Sequence, residues 1–281
     1  MSKSPISPRE RPRTIAEALE AAAAALRTGR GDEAERLAAY VLKSSRGSVP
    51  AARMLGQALL IQDRPEEAVA PLERAARGTD DPETETLLAR ALSRAGRIAD
   101  AIARLERATA RRPPFPLAFL ELGHVLREAG RTNEAIEVLD TGLRLTPDAA
   151  VLRIGLAYAH LDRNDRAKAR ALFSEVHSAA PQRYDARIGL ARVMVADGEY
   201  RAAAELFRQA LEMRPEDGPT RIALARCLLE TGDRAGGEAV LRAATRGGSQ
   251  LALDAITTLA ATPHGRVFLR PSAAASFLRR P

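Results

Sequence analysis

The side chains able to do chemistry are few and scattered. The histidines are His124, His160, His177 and His264, and no two share a metal-ligand spacing on one helix face. His160 stands in register with Leu126, Met194 and Leu228, which predicts a core or half-buried ring. The one cysteine, Cys227, stands in register with Val125, Ala159 and Val193 and reads as an inert packing thiol. Gly29-Arg30-Gly31 falls between helical stretches and follows no strand, so it carries no dinucleotide signal. The acidic pairs Glu66-Glu67 and Asp80-Asp81 fall in turns or on exposed faces. No phosphate loop and no GxSxG occur. The reading is no catalytic residue, no metal site and no cofactor; what remains to carry function is surface.

That surface must be built by helices. In Phe119–Asp148, Phe119, Leu122, Val125 and Leu126 form one apolar stripe at helical spacing. Gly130 breaks the stripe, because glycine weakens a helix and closes its C-terminus. A second stripe follows through Ala135, Val138, Leu139 and Leu143, and Pro147 stops it. The unit is a helical hairpin that cannot bury its apolar faces alone.

The hairpin recurs. Small residues open each second helix at Ala34, Ala68, Ala101, Ala135, Ala169, Ala203 and Gly237, about 34 residues apart. Turn residues recur at Gly29, Asp63, Gly96, Gly130, Asn164, Gly198 and Gly232, each tolerant of the left-handed conformation. First helices carry Leu55-Gly56, Leu88-Ala89, Leu122-Gly123, Leu156-Ala157, Leu190-Ala191 and Leu224-Ala225. Prolines close four units at Pro113, Pro147, Pro181 and Pro215. Thr14 and Glu17 give a capping-box start.

The 281 residues include 4% aromatics and no Trp, so Ala and Leu carry the core, which favours close-packed helices. No alternating strand pattern occurs, no run approaches the ~20 apolar residues of a membrane helix, and the start has no secretory apolar region. A cytoplasmic protein without membrane insertion is expected. The formal net charge is +7. Residues 1–13 contribute +3 and residues 255–281 contribute +4, so the body between is neutral. A nucleic-acid binder more often carries its basic face on the folded body.

This register resembles the tetratricopeptide repeat family, most fully through Leu190-Ala191, Gly198, Ala203, Phe207, Ala210 and Pro215. The fold expected is all-α: a right-handed superhelical solenoid of about seven helix-turn-helix repeats plus a C-terminal capping helix. The segments are a disordered basic tail at 1–13 and an array at 14–248. Its repeats are 14–48, 49–81, 82–115, 116–149, 150–183, 184–217 and 218–248. A capping helix follows at 249–262, with Ser249 as its N-cap, and a basic, aromatic-containing tail at 263–281. The tail holds Phe268 and Phe277 and a helix start at Pro271; it either folds back on the array or docks on a partner.

The resemblance implies that first helices line a concave groove. One offset reads Gln57, Arg90, His124, Tyr158, Arg192 and Arg226; another reads Arg53, Leu120, Ile154, Ile188 and Ile222; Arg127 lies one turn beyond His124. Tyr158 and Phe119 offer aromatic anchors. The isoleucines could instead pack on the neighbouring repeat. The Lys/Asn-rich clamp by which some family members hold a C-terminal carboxylate is absent: Leu87, Leu117 and Glu121 stand where it would need Asn, Lys and Arg. The functional expectation is a non-catalytic scaffold or adaptor that binds a peptide or helix with acidic groups. The alternatives are a regulatory or substrate-recruiting subunit of a transferase or modification enzyme, and polyanion binding through the basic tails.

Overall fold

A computed structural model describes residues 14–245, 249–265 and 271–278. The basic segment 1–13, Phe268, Arg266, Arg270, Arg279 and Arg280 lie outside them, and with them the disorder and polyanion expectations. The elements are α1 (Ile15–Arg27), α2 (Gly31–Ser44), α3 (Val49–Ile61), α4 (Pro65–Arg77), α5 (Pro82–Arg94), α6 (Ile98–Thr109), α7 (Pro116–Glu128) and α8 (Thr132–Leu145). Then come α9 (Ala150–Asp162), α10 (Arg166–Ala179), α11 (Tyr184–Ala196), α12 (Tyr200–Met213), α13 (Gly218–Glu230), α14 (Arg234–Ala244), α15 (Ser249–Ala261) and α16 (Pro271–Leu278). No strand occurs among the described residues.

Local chemistry sets these boundaries. Thr14 accepts a hydrogen bond from the Glu17 N–H, and the Glu17 carboxylate accepts one from the Thr14 N–H, completing the capping box. Asp81 caps α5 and Asp217 caps α13 in the same sense. Every hairpin turn from α1–α2 to α13–α14 passes through one left-handed residue, with φ from 57° at Asp63 to 87° at Gly232. Asn164 takes the conformation with φ 62°. Asp and Asn are the side chains that adopt it most cheaply, which is why the turn series reads Gly, Asp or Asn.

The chain forms two compact units divided between Leu152 and Arg153, inside α9. In the first, two hairpins close by apposing a glycine to a leucine. A Cβ on Gly123 would lie 2.6 Å from Leu139 Cγ, and one on Gly56 would lie 2.3 Å from Leu72 Cγ. Glycine at these places lets the two helices of a hairpin approach. The core runs through Leu59, Leu72, Leu88, Leu92, Leu105, Leu122 and Leu126. Burying each such side chain contributes roughly 1.5–3 kcal/mol. Phe119 fills the space above Gly142, where a Cβ would meet its ring carbon at 2.7 Å.

The second unit centres on Phe173 and Phe207, both buried. Phe207 packs with Ile188, Ala191, Ala203, Leu224, Cys227 and Leu228. A second cluster closes the C-terminal end: Ala225, Leu229, Leu241, Ala255 and Leu259 enclose Phe277 and Leu278 of α16. α16 therefore packs on its own unit, and the Arg242 guanidinium lies 5.4 Å from the Phe277 ring centre. The expectation for Ser249 needs correction. α15 takes it in as its first residue, so the capping place falls one residue earlier, outside the described set.

Candidate functional site

The residues at the two groove offsets separate by environment rather than by type. In the first unit the arginines are already engaged by carboxylates of the next hairpin. Arg53 on α3 meets Asp81 at 3.1 Å and Glu83 at 2.9 Å. Arg90 on α5 holds Glu121 Oε2 on α7 through Nη2 at 2.6 Å and Nε at 3.0 Å. Glu121 is buried at 8% exposure, so its charge is held by that guanidinium. Gln57, Leu120 and Arg127 are half-buried; His124 is exposed and lies 3.6 Å from Glu128. Phe119 is not an anchor: at 4% exposure it is committed to covering Gly142.

In the second unit the isoleucine series is largely core. Ile154 and Ile188 are buried, while Ile222 is half-buried and also packs against the cluster around Phe277. Tyr158 is half-buried, with its ring edge-to-face on Phe173 at 4.9 Å and the Arg192 guanidinium 5.9 Å from its centre. Arg192 on α11 and Arg226 on α13 are exposed, and among the described residues neither has a carboxylate within ion-pair distance.

Arg192, Ile222 and Arg226 come together at one cavity of about 670 Å³. Val195, Phe207 and Ala223 supply apolar lining, and Tyr200 and Thr258 bring hydroxyl-bearing side chains. The cavity opens because α11 and α13 do not pack side by side as α5 packs on α7 or α13 on α15. Sequence reasoning missed Val195, Ala223 and Thr258. Val195 was legible as the next turn of the helix face that carries Arg192. Thr258 was not, since it belongs to the last helix, beyond the repeats.

His160 and Cys227 are packed into the core. His160 is buried, and burial depresses its pKa although Asp165, 3.5 Å away, opposes the shift. Burial pushes the Cys227 thiol up to about 11, which keeps it protonated and unreactive. No group of three or more His, Cys, Asp or Glu able to hold a metal ion occurs among the described residues, and no described helix is long and apolar enough to cross a membrane.

Two models of the tetratricopeptide repeat family match the chain, one at residues 19–82 and 86–150, the other at 126–176, 160–203 and 194–250. No curated protein gives a match. Among solved structures the chain is similar to human IFIT1, solved as a dimer with PPP-AAAA: 19% identity, TM-score 0.73, covering 88% of this chain and 63% of that one. It is similar to a tetratricopeptide repeat protein of Parabacteroides merdae at 14% identity and TM-score 0.67, covering 88% and 99%. A thermophilic repeat protein of Thermus thermophilus is 24% identical with TM-score 0.59, covering 65% and 100%. The chain thus spans less than two thirds of the IFIT1 length, and these likenesses speak for the fold alone.

Proposed function

The chain belongs to the tetratricopeptide repeat family, and from that premise we propose that it is a non-catalytic scaffold whose first-helix face binds a peptide or helix of a protein partner. The observation that carries this reading is the pair Arg192 and Arg226. They line one cavity with apolar walls and have no carboxylate partner of their own among the described residues. Guanidinium groups held beside apolar surface suit a partner segment that is both acidic and apolar, because the fork donates two hydrogen bonds to one carboxylate. Arg53 and Arg90, at comparable offsets, are neutralised within the chain and would have to exchange partners to bind anything.

The test is affinity capture from the native host with mass spectrometry, run with the wild-type chain and with Arg192→Glu/Arg226→Glu. A partner retained by the first and lost by the second supports the reading. Equal retention shows that the groove assignment is wrong. If the captured partner is a transferase or modification enzyme, the scaffold acts as its recruiting subunit.

A further inference from the structure

Arg90 and Glu121 show how this fold satisfies an arginine at the groove offset. The acid comes from the next first helix, 31 residues on, and its carboxylate sits in the fork of the guanidinium at 2.6 Å. The same step of 31 residues leads from Arg192 to Ala223 and from Arg226 to Thr257. Neither can supply the charge. Ala223 lines the cavity beside Arg192, and Thr257 is exposed with its hydroxyl donated to the Leu253 carbonyl. The two groove arginines that lack a carboxylate partner are thus the two whose neutralising position has lost its acid.

We propose that one extended partner peptide supplies both missing acids. One carboxylate is seated on Arg192 and one on Arg226, in the places that Glu121 takes on Arg90, with an apolar side chain between them on Val195, Ile222 and Ala223. This rests on the groove reading above and specifies the ligand of that site. The geometry sets the spacing. α11 and α13 do not pack side by side, so they lie beyond the about 8–10 Å of packed helices, and an extended peptide advances about 3.3 Å per residue. Two acids three or more positions apart therefore bridge the arginines and leave room for the apolar side chain. The lining between the arginines is largely apolar; Leu, Ile or Phe covers it and a phosphate chain does not.

The experiment is selection of a random-peptide display library on the full chain, with counter-selection on Arg192→Gln/Arg226→Gln. Enriched peptides should carry two acids three or more positions apart around an apolar residue. In synthetic copies read by fluorescence anisotropy, each Glu→Gln or Asp→Asn change should weaken binding about tenfold, as expected for a hydrogen bond to a charged group. Ala223→Glu restores the self-neutralising arrangement and should weaken binding of the same peptides at least as much, with an unchanged melting curve. The proposal is overturned by no enrichment over the counter-selected variant, by amide peptides that bind as tightly, or by full binding in a folded Ala223→Glu chain. It is equally overturned if a 5′-triphosphorylated RNA oligonucleotide binds more tightly than the peptides and displaces them. Loss of the captured partner in Arg192→Glu/Arg226→Glu with full retention in Ala223→Glu sinks this inference alone. Retention in both sinks the groove reading with it.

Discussion

Arg90 Nη2 lies 2.6 Å from the buried Glu121 carboxylate across two consecutive hairpins. The pair is asymmetric, since Glu121 is nearly enclosed and Arg90 reaches solvent. Arg90→Ala should therefore cost more than Glu121→Gln. The first strands a buried charge, at about 1–3 kcal/mol, and the second leaves a hydrated guanidinium. Urea unfolding of both variants checks this; equal losses would mean that the pair behaves as a surface ion pair.

Two glycines of one hairpin should fail for different reasons. Gly123→Ala places a methyl 2.6 Å from Leu139 Cγ, an overpacking worth about 1–3 kcal/mol that a Leu139→Ala background should relieve. Gly130→Ala meets nothing within 4 Å but must hold φ +75°, a strain of about 1–2 kcal/mol. The Leu139 change should leave that loss untouched, while Asn at 130 should recover part of it. An equal rescue of both variants in the Leu139→Ala background would refute the distinction.

His160 predicts a pH dependence. Its folded pKa is lowered, first by burial and then by Arg163 and Lys168, against the pull of Asp165. The unfolded ring, near 6.5, then binds a proton that the folded one refuses, so stability falls as pH drops below about 6.5. His177, also lowered by burial and by Arg187, adds in the same direction. Asp81 and Asp217, whose folded pKa values are lowered despite burial, lose their contribution only below the ordinary carboxylate range. Thermal unfolding between pH 7 and pH 5 should thus flatten in His160→Gln; an unchanged slope would remove His160 from the account.

Phe277→Ala should loosen one end only. Its ring is buried against Leu241, Ala255 and Leu259, and emptying such a site costs about 3–5 kcal/mol in a closed core. Repeats communicate with their neighbours, so hydrogen exchange should quicken in α13 to α15 and stay unchanged in α3 to α6. Uniform acceleration would mean that the two units unfold as one.

Much of this was legible because one periodic constraint repeats. The seven turn residues from Gly29 to Gly232 all take positive φ, and the markers from Ala34 to Ala203 are all fully buried. The offsets themselves were legible too; occupancy was not. Whether an arginine is open depends on a residue 31 positions away, and Glu121, Ala223 and Thr257 share no local signal. Phe119 misled for a related reason. Its ring is needed because Gly142, in the facing helix, offers no side chain. A recurring pair went unread as well. The residue after each left-handed turn is Arg30, Arg64, Arg97 and Arg131 in the first unit, each bonded to an acid three residues on. In the second unit the same place is Asp165, Glu199 and Asp233.

The most direct measurement is titration calorimetry of the captured partner against three chains: wild type, Arg192→Glu/Arg226→Glu and Arg53→Gln/Arg90→Gln. Charge reversal in the second unit should weaken binding at least about hundredfold, as two charge-assisted contacts are lost. Melting should be unchanged, while the first-unit variant should bind as the wild type does. Wild-type affinity in Arg192→Glu/Arg226→Glu, or a loss confined to Arg53→Gln/Arg90→Gln, would contradict the account.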